Sequence, residues 1–93
     1  MKRIFKYTLP TKFGAFAIDM PKGSEIKAVQ VQNGIPVMWA FVDSDVAVVE
    51  RPFVLAATGD PATHIIKTVT GVTVLIGYLG TFQIAGLVYH VFG

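Results

Sequence analysis

Apolar residues along this chain recur mostly at every second position, in short β-branched and aromatic runs separated by turn residues. No segment keeps a helical period for three turns. Arg3 to Leu9 sets Phe5, Tyr7 and Leu9 on one face and Ile4, Lys6 and Thr8 on the other, and Pro10 ends the run. Phe16 to Met20 follows, closed by Pro21-Lys22-Gly23-Ser24, whose proline and glycine suit a tight turn. Glu25 to Gln32 and Pro36 to Val42 flank Asn33-Gly34, a dipeptide that tolerates positive φ at both centres of a type I′ hairpin turn. In the first arm Lys27, Val29 and Val31 alternate with Ala28, Gln30 and Gln32. In the second, Met38, Ala40 and Val42 alternate with Val37, Trp39 and Phe41.

Asp43-Ser44-Asp45 makes a loop, and Ala47 to Ala57 is again a strand, in which Pro52 implies an edge or a bulge. Thr58-Gly59-Asp60-Pro61 breaks it. Residues 62 to 68 read as a helical turn or an irregular crossing, Val72 to Leu79 as a strand, Gly80 as a bend, and Thr81 to Ile84 as extended chain. Ala85-Gly86 then turns into a last strand, Leu87 to Phe92. These seven or eight mostly antiparallel strands predict an all-β fold, a compact small sandwich or partly open barrel. Residues 1–93 make a single β-rich domain.

Composition sharpens the picture at three points. From Thr68 to Gly93 no Asp, Glu, Lys or Arg occurs, a stretch long enough for a membrane helix. Its five glycines and its threonines and valines favour broken strands instead, so no membrane partner is expected. The absence of cysteine excludes a disulfide framework, a thiol nucleophile and a thiolate metal site. A hydrophobic content of 53% in so short a chain exceeds what one small core needs and points to a homo-oligomer.

Charge is uneven. Lys2, Arg3, Lys6, Lys12, Lys22 and Lys27 make residues 1 to 27 basic against only Asp19 and Glu25, and Asp43, Asp45, Glu50 and Asp60 make the stretch from 43 to 60 acidic against Arg51 alone. Neighbouring subunits can pair these ends. The basic region is too thin for duplex nucleic acid and suits a small anion. No nucleophile elbow, dinucleotide fingerprint, phosphate loop or metal-ligand spacing occurs, so no catalytic residue, metal or cofactor is assigned. The candidate ligand-binding residues are Arg3, Lys6, Gln30, Gln32, Trp39, Arg51, Tyr78 and His90. Arg3, Lys6 and Arg51 can hold phosphates, Trp39 and Tyr78 can stack on a base, Gln30 and Gln32 can read polar edges, and His90 can hydrogen-bond. Each has a plainer role too: Trp39 as core, Arg51 as the partner of Glu50 or Asp43, His90 as a packed imidazole.

The blocks Val29-Gln30-Val31-Gln32-Asn33-Gly34-Ile35-Pro36, Trp39-Ala40-Phe41-Val42-Asp43, Thr58-Gly59-x-Pro61, Tyr78-Leu79-Gly80-Thr81-Phe82-Gln83 and His90-Val91-Phe92 resemble a family of short, uncharacterised bacteriophage proteins. In that family a histidine often follows the Thr-Gly pair, where Asp60 stands here. The resemblance implies a phage origin and action in the host bacterial cytoplasm, with no established activity. Combined with the basic end and the aromatic residues, it leads to the expectation of a small oligomeric protein that sequesters a nucleotide-derived host immune signal, of cyclic dinucleotide or cyclic ADP-ribose type, without cleaving it. The competing expectations are a virion or assembly accessory acting through protein contacts and, in third place, a phosphodiesterase using His64 or His90 as general base.

Overall fold

A computed structural model describes residues 1–60, 66–69, 72–75 and 77–93, those between 66 and 75 by their backbone alone. The strands are β1 (Lys2–Thr8), β2 (Gly14–Pro21), β3 (Glu25–Gln32), β4 (Ile35–Asp43), β5 (Val48–Ala57), β6 (Ile66–Val69), β7 (Val72–Leu75), β8 (Tyr78–Ile84) and β9 (Leu87–Phe92). Seven of them form two antiparallel sheets, β1-β4-β3 and β2-β5-β9-β8, which are not closed into a barrel; β6 and β7 pair with each other. The all-β expectation holds. No helix among the described residues is long and apolar enough to cross a membrane, and the described residues of the uncharged stretch from Thr68 to Phe92 lie in strands and the turns between them.

Two expectations change. The chain from Val72 is two strands rather than one, β7 ending at Leu75 and β8 starting at Tyr78. The helical turn expected over residues 62 to 68 lies partly outside the described residues, as does His64, and from Ile66 the backbone is extended.

Turn chemistry fixes the hairpins. Asn33 and Gly34 hold φ of 51° and 78°, both positive as a type I′ turn requires. Their register pairs Gln32 with Ile35 and continues to Glu25 with Phe41. Lys27 is an extra residue there, because Ile26 pairs with Ala40 and Ala28 with Trp39. This bulge turns Lys27 out of the strict alternation predicted for it. Pro52 sits in β5 opposite Ala17 of β2, and β9 joins β5 only from Val54. Over Pro52 the strand therefore has a neighbour on one side, the setting in which a missing N–H costs no ladder bond.

Inward-facing side chains of the two sheets meet in one core. Leu9, Met20, Met38, Phe53, Leu55, Phe82, Tyr89 and Val91 are buried, with Tyr7, Phe16, Ile18, Ile26 and Val29 packed against them. Aromatic rings stack through it: Phe13 on Tyr89 at 4.6 Å, Tyr89 on Phe82 at 4.7 Å, and Phe16 on Phe53 at 5.4 Å. The one polar atom on Tyr89 is satisfied by donation to the Thr11 carbonyl at 3.0 Å. β3 of one sheet lies over β8 of the other, and Gly80 lets them approach: a Cβ there would stand 2.7 Å from Cβ of Val29.

Candidate functional site

Alternation sends the odd-numbered residues of β4 outward, away from the core, and β1 and β3 flank β4 on either side. The outer face of this sheet therefore carries Trp39 opposite Lys6 on β1 and opposite Ala28 on β3. The side chains there are joined to one another. Lys6 Nζ lies 5.7 Å from the Trp39 ring centroid, within cation–π range, and donates to Gln32 Oε1 at 3.0 Å. Because β4 runs between the strands that carry Lys6 and Gln32, this bond spans it above Val37, which is 2% exposed despite its outward position. Trp39 Nε1 donates to Gln30 Oε1 at 3.0 Å. Four predicted residues, Lys6, Gln30, Gln32 and Trp39, thus form one connected cluster.

Beside this cluster lies an open groove of about 690 Å³ lined by Ile4, Glu25, Lys27, Trp39 and Phe41. Its floor is apolar and aromatic, and its rim is charged. Lys2 Nζ stands 5.9 Å from the Phe41 ring centroid, repeating one step along the sheet the cation-over-ring arrangement of Lys6 and Trp39. Lys27 Nζ donates to Glu25 Oε2 at 2.7 Å, and that bond lowers the Glu25 carboxyl below its ordinary pKa. Ile4 and Phe41 were missed as site residues, although the alternation already grouped Ile4 with Lys6 and Phe41 with Trp39. Lys27 was assigned to the other face because nothing in its local sequence announces the bulge.

The remaining predicted residues stand elsewhere. Arg3 donates from Nε to Ser44 Oγ at 3.2 Å, at the loop after β4. Arg51 is held by the fold itself: Nη1 donates to the Ser24 carbonyl at 2.5 Å, and the guanidinium lies 5.4 Å from the Phe53 ring centroid. No ion pair joins it to Glu50 or Asp43. Tyr78 and His90 belong to the outer face of the other sheet, across the sandwich from Trp39. His90 sits between two threonine hydroxyls, Nε2 at 2.7 Å from Thr58 Oγ1 and Nδ1 at 3.0 Å from Thr81 Oγ1, with Tyr78 OH 2.5 Å beyond Thr81. A cavity of about 220 Å³ adjoins it, lined by Thr58, Gly59, Asp60 and Phe92 among others. Asp60 Oδ2 accepts the Ala57 N–H at 2.8 Å and closes the turn.

Chemically, the first site offers rings, cations, amides and the Glu25 carboxylate paired with Lys27, while the second offers an imidazole whose two nitrogens are already engaged. Among the described residues no group of three or more acidic or histidine side chains is placed to hold a metal ion. No curated protein and no solved structure shows a significant match to this chain. A family does: over residues 1–93 the chain matches, and belongs to, the family described as Domain of unknown function (DUF7352).

Proposed function

We propose that this protein binds, without cleaving, a small planar anion of nucleotide type on the outer face of the β1-β4-β3 sheet. One observation carries the reading: Lys6 rests on the Trp39 ring beside an apolar groove of about 690 Å³, with Gln30 and Gln32 bonded into the same cluster. A base stacking on Trp39 or Phe41 gains an aromatic contact worth about 1–3 kcal/mol. Lys6 then swings from the ring face to a phosphate, and the two glutamine amides exchange their internal bonds for the polar edge of the ligand. Resemblance to short bacteriophage proteins supports a finer reading, in which the ligand is a host immune signal of cyclic dinucleotide or cyclic ADP-ribose type, sequestered in the bacterial cytoplasm. His90 and Tyr78, across the sandwich, are outside this site.

Trp39 is the only tryptophan in the chain, so its fluorescence reports the site directly. Titration with a panel of cyclic dinucleotides and cyclic ADP-ribose variants is expected to quench it, and denaturation is expected to return the ligand intact. By calorimetry, which does not need the indole, Trp39→Ala should weaken binding about 10-fold or more, and Lys6→Ala should weaken it while flattening its salt dependence. Altered ligand would point to catalysis. A panel without any quenching rejects the nucleotide reading and favours the second one, an assembly accessory whose exposed Ile4, Ile35 and Phe41 meet another protein.

A further inference from the structure

The two sheets leave four strands at an edge, β1 and β3 in one and β2 and β8 in the other. An open edge is a template for another strand unless something blunts it. β3 carries the bulge at Lys27, and the pairing of β8 is irregular between Tyr78 and Gly80. β2 is regular, but its large side chains are already used: Met20 is 1% exposed, Phe16 and Ile18 pack on the core, and only Ala15, Ala17 and Asp19 face outward. Its Asp19 already stands directly opposite Glu50, so a further chain there would crowd like charges.

β1 has neither a bulge nor a like charge opposite it on β4; its charges are the cations Lys2, Arg3 and Lys6, which a pairing register has to keep off one another. Its register with β4 runs from Lys2 to Thr8 without a shift and without proline. It ends a sheet, and among the described residues no other element lies along its free side. Its apolar side chains are left half finished: Phe5 and Tyr7 are only partly buried, and Ile4 is 72% exposed.

We propose that two copies of this chain join through β1, antiparallel about a twofold axis at Phe5, to make one continuous sheet of the two β1-β4-β3 units. The register follows from faces and charges. Inner residues must oppose inner ones, so the axis passes through a residue and not between two. An axis at Arg3 or Lys6 sets that cation against itself, and one at Ile4 sets Lys2 against Lys6. The axis at Phe5 sets Lys2 against Thr8, Arg3 against Tyr7, Ile4 against Lys6 and Phe5 against Phe5. It is the longest overlap in which no cation faces a cation, and it offers Arg3 a phenol ring and Ile4 a lysine stem. The contact is isologous and therefore closes at two copies. It also sets the two outer-face grooves side by side, with Lys6 of each copy at the rim of the other's. The pairing rests on β1 alone and holds whether or not the groove takes a ligand.

The ligand-free protein is expected to have twice the 10.1 kDa chain mass by light scattering, and a strict monomer at 100 μM overturns the proposal. Since the chain has no cysteine, engineered ones report the register. A mixture of Lys2→Cys and Thr8→Cys chains, both at exposed positions, should oxidise to the mixed disulfide in preference to either homodimer. Ala17→Cys, the matching position on the β2 edge, should stay uncrosslinked under the same conditions. Crosslinking through Ala17→Cys, or equal amounts of all three β1 products, overturns the register. Ile4→Lys puts two lysine pairs face to face across the axis and should raise the dimer dissociation constant at least 10-fold, recovered in part by salt. An unchanged constant overturns the proposal. Fluorescence titration of Thr8→Lys, which sets a lysine against Lys2 across the same axis from an exposed position outside the groove, separates the two readings, since a monomer that still quenches leaves the ligand site standing alone.

Discussion

Ala85 holds a φ of 52° although it carries a Cβ, and it does so next to Gly86 at 79° in the turn between β8 and β9. The β3–β4 hairpin solves the same problem with Asn33 at 51°, a residue whose short amide tolerates the left-handed region. Ala85 is exposed, so a larger polar side chain there can extend into solvent. Ala85→Asn should therefore stabilise the fold by about 0.5–1 kcal/mol, seen as a higher urea midpoint at unchanged slope. An unchanged or lower midpoint would mean that the turn relaxes around alanine. Both turns were visible in the sequence, one as Asn-Gly and one as Ala-Gly, because positive φ is a local demand met by few residue types. Strict alternation also separated the row of Trp39, the row of Lys6 and the row of Gln30 and Gln32 from the rows opposite them, but that these rows share one outward face was not visible, and Trp39 read equally as core. The setting of Arg51 was not visible either: its ties to the Ser24 carbonyl and the Phe53 ring join parts of the chain far apart in sequence.

At the scale of elements, the loop after β4 ties the start of β1 to the end of β4. Ser44 N–H donates to the Met1 carbonyl at 2.9 Å, and Asp43 Oδ1 accepts both the Asp45 N–H and the Met1 amino group, each at 3.0 Å. Asp45 Oδ2 also accepts from that amino group. The Asp45 N–H and the ammonium hold the Asp43 carboxyl below its ordinary 3.8, and the two aspartates hold the Met1 amino group above its ordinary 8.0. The signs follow. A lowered carboxylate stabilises above its unfolded value and loses that contribution as pH falls through the folded one. A raised ammonium stabilises below its unfolded value and loses it as pH rises through the folded one. The tie is thus complete between 3.8 and 8.0 and loosens on both sides. Hydrogen exchange of the Ser44 amide, corrected for its intrinsic pH dependence, should show maximal protection inside that window. In Asp43→Asn the acid limb should vanish, and an acid limb that persists would assign it to another group. Strand identity was largely legible at this scale: β3 and β9 run over the residues expected, and β1, β2, β4 and β5 end within one or two. The bulge at Lys27 and the break before β8 were not, because each is set by what the neighbouring strand requires rather than by the residues at the break.

For the whole molecule, the decisive feature is which strand lies on which, and this is the part the sequence could not reveal. Sheet membership skips along the chain, β1, β3 and β4 on one side and β2, β5, β8 and β9 on the other, so β1 and β2, β2 and β3, and β4 and β5 are each parted by the core although they follow one another in sequence. The two sheets come closest where β8 crosses β3, and Gly80 makes this possible: a Cβ at that position would meet Val29 Cβ at 2.7 Å and Val29 Cγ2 at 2.8 Å. Gly80 does not have a positive φ, so its absence of side chain, rather than its backbone freedom, is what the site uses. Gly80→Ala should push β8 away from β3, since rotating Val29 moves Cγ2 but not the nearer Cβ, at a cost of about 1–3 kcal/mol. Removing the obstructing Cβ should restore the fit, so the double variant Gly80→Ala with Val29→Gly should be more stable than the sum of the two single losses by about 1 kcal/mol or more. Additive losses would show that β8 yields without touching β3. Since β3 also carries Gln30 and Gln32 on its opposite face, a shift of that strand reaches the candidate site: Gly80→Ala should alter Trp39 fluorescence although the two residues lie on different sheets, and the double variant should return it.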